Sequence, residues 1–201
     1  MNMINKGMYV MKKSIYLAVI LAAAASCALP GSAAMAAGPA ADYYYDGGQR
    51  HTLLLDDTLL AAFGAAPSAV KSVLPDAQTA QTRGGAAIYR IQPGSYKSVA
   101  GVIPGAAVSP VFHDGGSATG RLMALPGGVL VNFKPDWTAQ QVSDWAAAKG
   151  LAVDKKLSIG QNWYLIKSAP GQASLDLANQ IHQSGDVISA TPNWWKDTST
   201  R

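Results

Sequence analysis

The sequence is poor in several residue types on which common protein functions depend. Only one of its 201 residues is cysteine, Cys27, which excludes an internal disulfide framework and a cysteine-rich zinc site. Charged residues make up 14% of the chain, and all twelve acidic residues are Asp. No apolar run approaches the roughly 20 residues that span a bilayer as a helix. The hydrophobic share of 49% still allows a packed core, so the composition favours a globular protein of one or two small domains.

The N-terminus has the features of a secretory signal peptide. Lys12 and Lys13 precede an apolar run at residues 15–25, and small residues ending in Ala34-Met35-Ala36 follow. A positive segment, a short apolar segment and an A-x-A site are typical of a cleaved leader. We therefore expect residues 1–36 to be removed and the mature protein to be periplasmic or secreted.

The leader also accounts for most of the positive charge. The formal net charge is +4, but 13 basic residues remain against 12 acidic ones once the leader is removed. Nucleic-acid binding needs a basic surface, so no nucleic-acid partner is expected. An alternative concerns Ala25-Ser26-Cys27, a weak lipobox that would make Cys27 a lipidated N-terminus. Attachment to a membrane is expected only under that alternative.

Motifs for catalysis are missing from the chain. The sequence has no G-x-S-x-G, H-E-x-x-H, Walker or Rossmann glycine pattern. His51, His113 and His182 lie far apart, and none has a Cys or Glu neighbour that would complete a metal site. The Asp-Gly-Gly turns at 46–48 and 114–116 lack the spacing of a calcium loop. We expect no enzyme activity, no catalytic residue, no metal, no cofactor and no small-molecule substrate.

The second half of the chain predicts a regular succession of strands and helices. Capping residues, turns and apolar periodicity predict a strand at 128–133, a helix that begins at Thr138 with a capping box to Gln141 and ends at Gly150, strands at 151–157 and 162–168, a helix at 173–184, and a strand at 187–191. This order predicts an α+β fold, a ferredoxin-like β-α-β-β-α-β sandwich with an antiparallel sheet and two helices on one face. The other face of such a sheet must be polar or meet a partner.

The first half repeats this order more faintly. Asp-Gly-Gly turns 68 residues apart each open a segment that continues with apolar, Leu-containing runs. An Ala-rich stretch follows in the first segment and a helix in the second, and each segment then has further apolar runs. A duplication and a chance similarity both explain the pattern. The expected organisation is a leader at 1–36, an N-terminal α/β segment at 37–117 that is a degenerate first copy if the duplication holds, and a ferredoxin-fold domain with a C-terminal tail at 118–201.

Three segments of the second half resemble a known family in their order and spacing. They are residues 128–135, 145–151 and 185–194, with the strand pattern V-x-V-x-F-K-P at the start and D-V-x-x-x-x-P-N-W at the end. Together they resemble the propeptide of subtilisin-like serine proteases, specifically the fervidolysin-type N-terminal prodomain. Single-domain relatives in that family are stand-alone protease inhibitors and intermolecular chaperones. The resemblance covers residues 121–195 well and residues 43–112 more weakly.

The resemblance implies a mode of action. In that family the sheet face packs on two surface helices of the protease, and the segment after the last strand enters the substrate cleft as an added strand. The implied interface residues are Pro192, Asn193 and Trp194. The implied protease-binding tail is Trp195, Lys196, Asp197, Thr198, Ser199, Thr200 and Arg201. Because adjacent strand residues point to opposite faces, at least one of the two tryptophans is expected to be exposed or to contact a partner.

The expected function is therefore that of a non-enzymatic inhibitor and folding chaperone of a subtilisin-like serine protease, acting in trans. The chain has no catalytic protease motifs after Trp194, which leaves a stand-alone protein or the severed leader of a precursor; its own signal peptide favours the stand-alone protein. The alternative function is an envelope-associated structural or protein-binding module without a protease partner.

Overall fold

Two sheets and four helices make up the part of the chain that the structure describes. The structure, a computed structural model, describes residues 42–99, 101–103 and 105–198, so the predicted leader and Cys27 lie outside it. The strands are β1 (Tyr43–Asp46), β2 (Gln49–Phe63), β3 (Gln78–Arg83), β4 (Ala86–Arg90), β5 (Ala107–Asp114), β6 (Leu122–Ala124), β7 (Val129–Asn132), β8 (Val153–Leu157), β9 (Trp163–Ile166), β10 (Ser189–Pro192) and β11 (Trp195–Lys196). The helices are α1 (Pro67–Val73), α2 (Tyr96–Val99), α3 (Ala139–Ala148) and α4 (Gln172–Gln183). The fold is mixed α+β with antiparallel sheets, as the sequence predicts at that level.

The larger sheet is organised around β2, which is 15 residues long. Its strands follow the order β11-β6-β5-β2-β4-β3, and β1 pairs with the first part of β2. A bulge interrupts the pairing of β2 with β5 between Asp56 and Leu60. With this bulge, β2 pairs with β1 along its first part and with β4 along its last part.

This seven-stranded sheet curls until its two ends approach each other. Trp195 of β11, at one end, donates from Nε1 to the carbonyl oxygen of Arg83 at the other end, at 3.2 Å. Inside the curl lies an apolar cluster built from Ala61, Ala86, Ile88, Val111 and Ala124. Outside it, α1 and α2 contribute Val70 and Val99 to a second cluster with Leu60 and Tyr89. The chain therefore buries both faces of this sheet by itself.

The smaller sheet has four antiparallel strands in the order β10-β7-β9-β8. Helices α3 and α4 cover one face, where Val142 and Ile181 pack among Val131, Phe133 and Tyr164. The six elements occur within a few residues of their predicted positions. The predicted capping box is also confirmed, since the Gln141 backbone donates to Thr138 Oγ1 at 3.2 Å and the Thr138 backbone donates to Gln141 Oε1 at 2.7 Å.

The two halves of the chain share one arrangement of strands. The series β2-α1-β3-β4-α2-β5 lies in the sheet as β5-β2-β4-β3, and the series β7-α3-β8-β9-α4-β10 lies as β10-β7-β9-β8. In each series the fourth strand lies beside the first, and the third lies between the first and the second. The faint sequence repeat thus corresponds to the same order of elements and of strand neighbours.

Candidate functional site

The face of the four-stranded sheet that is turned away from α3 and α4 carries four large apolar side chains. Leu130 of β7 and Trp163 and Leu165 of β9 alternate with residues that are buried beneath the helices, so they point to the opposite side. The register pairs Leu130 with Leu165, and Trp163 with Leu157 of β8. Paired residues share a face, so the four side chains form two adjacent rows. We call Leu130, Leu157, Trp163 and Leu165 the open face.

No core of the described chain uses the open face. Each of its four side chains is partly exposed, and none belongs to, or packs against, the apolar clusters found among the described residues. Ile159, in the turn between β8 and β9, is 64% exposed, and Ile188, just before β10, is 51% exposed. Both lie at the end of the sheet where Leu157 and Trp163 pair. A sheet face with several partly exposed apolar side chains is a candidate contact site for another molecule.

In the larger sheet, the face opposite the helices is covered by the chain itself. There the face opposite the helices is the inside of the curl, where Ile88 and Ala61 are fully buried. Trp195 and Leu122 pack at the margin of that cluster. The open face of the smaller sheet has no such cover among the described residues, so a cover must come from elsewhere if one exists.

The expectation of a free tail from Trp195 onward is wrong for its first residues. Trp195 and Lys196 form β11, which pairs with Ala124 and Met123 of β6, and the Asp197 backbone donates to the carbonyl of Leu122 at 2.9 Å. The physical reason is that β6 would otherwise present an unpaired edge. Thr198 is exposed, and Ser199, Thr200 and Arg201 lie outside the described residues.

The segment Pro192–Trp194, expected as an interface with a protease, makes contacts inside the chain. Asn193 donates from its side chain to the Gly127 carbonyl and from its backbone to the Gly128 carbonyl, both at 3.0 Å. Pro192 is buried, and the Trp194 ring lies 5.1 Å from the Tyr44 ring. These contacts join the end of the smaller sheet to the larger one. Asn193 and Trp194 remain partly exposed, and the role of residues 192–194 as a protease interface stays a prediction.

A buried histidine, His113, meets a half-buried aspartate, Asp56, at the bulge of β2. His113 Nε2 lies 3.0 Å from Asp56 Oδ2, and His113 Nδ1 lies 3.2 Å from the Gly120 carbonyl oxygen. Burial by itself raises the pKa of the Asp56 carboxyl, but hydrogen bonds from Thr58 and His113 outweigh it and hold that pKa below its usual value. Both ring nitrogens are occupied, so the pair ties β2 to β5 and leaves no free base.

Other classes of site find no support in the described part of the chain. No three His, Cys or Asp side chains come together there as metal ligands. No helix among residues 42–198, as far as they are described, has the length and apolar character to cross a membrane.

The open face is what the sequence reasoning missed. The resemblance implied that the sheet face contacts the protease, but the only contact residues named from the sequence were 192–201. The signal was present in the alternation of β7, which reads Val-Leu-Val-Asn, and of β9, which reads Trp-Tyr-Leu-Ile. Successive residues of a strand point to opposite faces, and every residue of these two strands except Asn132 is apolar or aromatic. Both faces of the sheet therefore carry apolar side chains.

The chain matches no protein-family model, no curated protein and no solved structure.

Proposed function

We propose that the chain is a propeptide-like module that binds a subtilisin-like serine protease outside the cytoplasm, inhibits it and assists its folding. The single observation that carries the proposal is the open face, an apolar surface on a sheet whose other face is already packed. It adds to the resemblance of residues 121–195 to protease propeptides, in which this is the face that contacts the enzyme.

The order of elements supports a ferredoxin-like arrangement of residues 129–192. Strand, helix, strand, strand, helix and strand follow each other, and the fourth strand lies beside the first. In such an arrangement both helices lie on one side and the sheet forms a rigid platform. A rigid platform loses little conformational entropy on binding, which favours tight association.

The binding surface must be large if inhibition is to be tight. A nanomolar complex needs about 12 kcal/mol of binding free energy, and a standard interface buries about 800 Å² on each partner. A short flexible peptide seldom provides this after its ordering cost. The four side chains of the open face would supply the apolar centre of such an interface.

The pairing of β11 supports a shorter cleft-binding segment than the sequence suggests. Because β11 and Asp197 are paired with β6, we place the start of the cleft-binding segment at Thr198. β11 would then fix the point from which this segment leaves the domain. Pairing of an extended segment with the edge of the substrate cleft is a common mode of peptide recognition.

The test is an inhibition assay with co-encoded subtilisin-like proteases and the purified chain. Leu165→Asp places a charge in the centre of the open face, and we expect it to raise the inhibition constant at least 100-fold, which corresponds to about 2.7 kcal/mol. Leu54→Asp is the matched control, because Leu54 is 40% exposed but lies on β2 of the other sheet. Circular dichroism would verify that both variants fold.

The chaperone activity is measured in the same way, as the yield of active protease after refolding with each variant. Equal inhibition and equal refolding yield with Leu165→Asp and the unchanged chain would overturn the proposed binding surface. No inhibition and no gain in yield at micromolar concentration of the unchanged chain would overturn the proposed function. Self-association through the open face in place of protease binding would support the structural module instead.

A further inference from the structure

A small hollow lies where the turn between β1 and β2 meets the smaller sheet. Its volume is about 160 Å³, and Tyr45, Asp46, Trp163 and His182 contribute to its lining. Backbone and small side chains of β10 close the remaining side. We call it the turn hollow. Trp163 belongs both to the turn hollow and to the open face, so the two surfaces are continuous.

Asp46 contributes an acidic residue to the lining of the turn hollow. Its carboxylate is exposed and makes no hydrogen bond or ion pair with the described residues. Asp114, in the other Asp-Gly-Gly turn, accepts a hydrogen bond from the Tyr44 hydroxyl at 3.3 Å. The nearby Arg50 is also engaged elsewhere, since its guanidinium carbon lies 3.8 Å from the centre of the Tyr43 ring. Of the two turns, the one that lines the hollow is thus the one whose aspartate lacks a partner.

Aromatic rings supply the second half of a cation site. Trp163 and Tyr45 both line the hollow, and Tyr45 is held in place by stacking on His182 with ring centres 4.1 Å apart. Asp46 and Trp163 both line the hollow, and a guanidinium group can pair with a carboxylate and stack on an aromatic ring. A neutral or anionic group would leave the Asp46 charge unpaired.

We propose that the turn hollow binds the guanidinium group of an arginine side chain on the surface of the docked protease. This inference rests on the proposed function, because the hollow is reached from the open face. The arginine would fix the orientation of the protease on the sheet, since a single ion pair at the rim of an apolar contact sets its register.

The first test needs no protease. N-acetyl-arginine amide is titrated into the chain at pH 7.5, and the Trp163 indole N–H signal is followed by NMR. We expect a saturable shift with affinity on the order of millimolar, typical of a small isolated contact. N-acetyl-citrulline amide has almost the same shape without the charge and should produce no saturable shift. The Asp46→Asn variant should lose the response, and it should fold because Asn suits a turn as well as Asp does.

Asp57→Asn is the matched control, because Asp57 is also exposed but lies in the bulge of β2. This variant should respond to the arginine probe as the unchanged chain does. No shift with the arginine probe, an equal shift with the citrulline probe, or an unchanged response of Asp46→Asn would each overturn the inference.

The second test uses the inhibition assay. Asp46→Asn should raise the inhibition constant about tenfold at low salt and less at high salt, because salt screens exposed charges. If Asp46→Asn inhibits as well as the unchanged chain does, the assignment of the hollow to a protease arginine is wrong while the proposed function stands. If the arginine probe binds but the unchanged chain inhibits no protease, the proposed function fails and the hollow remains a guanidinium site.

Discussion

Single side chains fix the junction between the two sheets of this chain. Gly127 and Gly128 adopt positive φ angles of 105° and 86°, and a Cβ atom on Gly128 would lie 2.8 Å from Leu165 Cδ1. The carbonyls of this pair accept hydrogen bonds from Asn193 and, at 2.7 Å, from the buried Ser174 hydroxyl. A side chain at 128 would therefore strain the backbone and press on the open face at once.

Replacement of Asn193 tests this junction. We expect Asn193→Ala to lower the free energy of unfolding by about 1–3 kcal/mol, because the partly buried Gly127 carbonyl loses its donor. Urea unfolding of the variant and of the unchanged chain measures the difference. Gln140→Ala removes an exposed side-chain hydrogen bond on α3 and should change stability by less than about 0.5 kcal/mol. An equally small effect of Asn193→Ala would show that the junction does not depend on that side chain.

The Asp56 carboxyl should make stability depend on pH in the acid range. Its pKa in the folded chain is below the ordinary value of 3.8, so its hydrogen bonds with Thr58 and His113 stabilise the fold fully above that value. The stabilisation is lost as the pH falls through 3.8 and then through the lower pKa of the folded state.

Unfolding by urea between pH 2 and pH 6 measures this effect. The difference in stability between the unchanged chain and Asp56→Asn should shrink as the pH falls below about 4. Asp57→Asn, at an exposed position in the same bulge, is the matched control for removing a charge there. A stability difference for Asp56→Asn that stays constant over the whole range would contradict the assigned pKa direction.

Among the elements, the short strand β11 divides the tail predicted from the sequence into two parts. Its first residues pair within the fold, and the cleft-binding role is left to the residues after them. Trp195 closes the curled sheet, whereas Thr198 is exposed and lies past the last pairing with β6. Nothing in the sequence Trp-Lys-Asp distinguishes a free segment from a paired one. The pairing is decided by the edge of β6, more than 70 residues earlier in the chain, which a local pattern does not reveal.

Two changes distinguish these roles. Deletion of residues 198–201 should leave the free energy of unfolding unchanged and weaken protease inhibition at least tenfold. Trp195→Ala should lower the free energy of unfolding by about 2 kcal/mol, because a partly buried ring and its hydrogen bond to Arg83 are lost. Urea unfolding and the inhibition assay provide both values. Full inhibition by the shortened chain would exclude insertion of these residues into the cleft.

The elements that the sequence predicts well are those with signals of their own. The helix after Thr138 has its capping box, and α4 has Leu175, Ala178 and Ile181 on one buried face. β3 was missed because its residues, Gln-Thr-Ala-Gln-Thr-Arg, are polar and mostly exposed at the edge of the larger sheet. An edge strand gains its conformation from its neighbour, here β4, and needs no apolar period.

In the molecule as a whole, the two series of strands and helices have the same order but differ in what covers the sheet face opposite their helices. The first series closes its sheet with β6 and β11, and the second keeps an apolar face without a cover from the described chain. The sequence could predict a sheet with one uncovered face from the order of its elements. It could not predict which half would remain uncovered, because that depends on the curl of the larger sheet and on the position of Trp195 in it.

We propose above that a subtilisin-like protease contacts the open face. The most direct test of this proposal is isothermal titration of the chain with such a protease, inactivated at its catalytic serine, at several temperatures. The account predicts a nanomolar dissociation constant and a clearly negative heat-capacity change from burial of apolar surface, both lost in Leu165→Asp. Absence of binding at micromolar concentrations, or equally tight binding by Leu165→Asp, would contradict it.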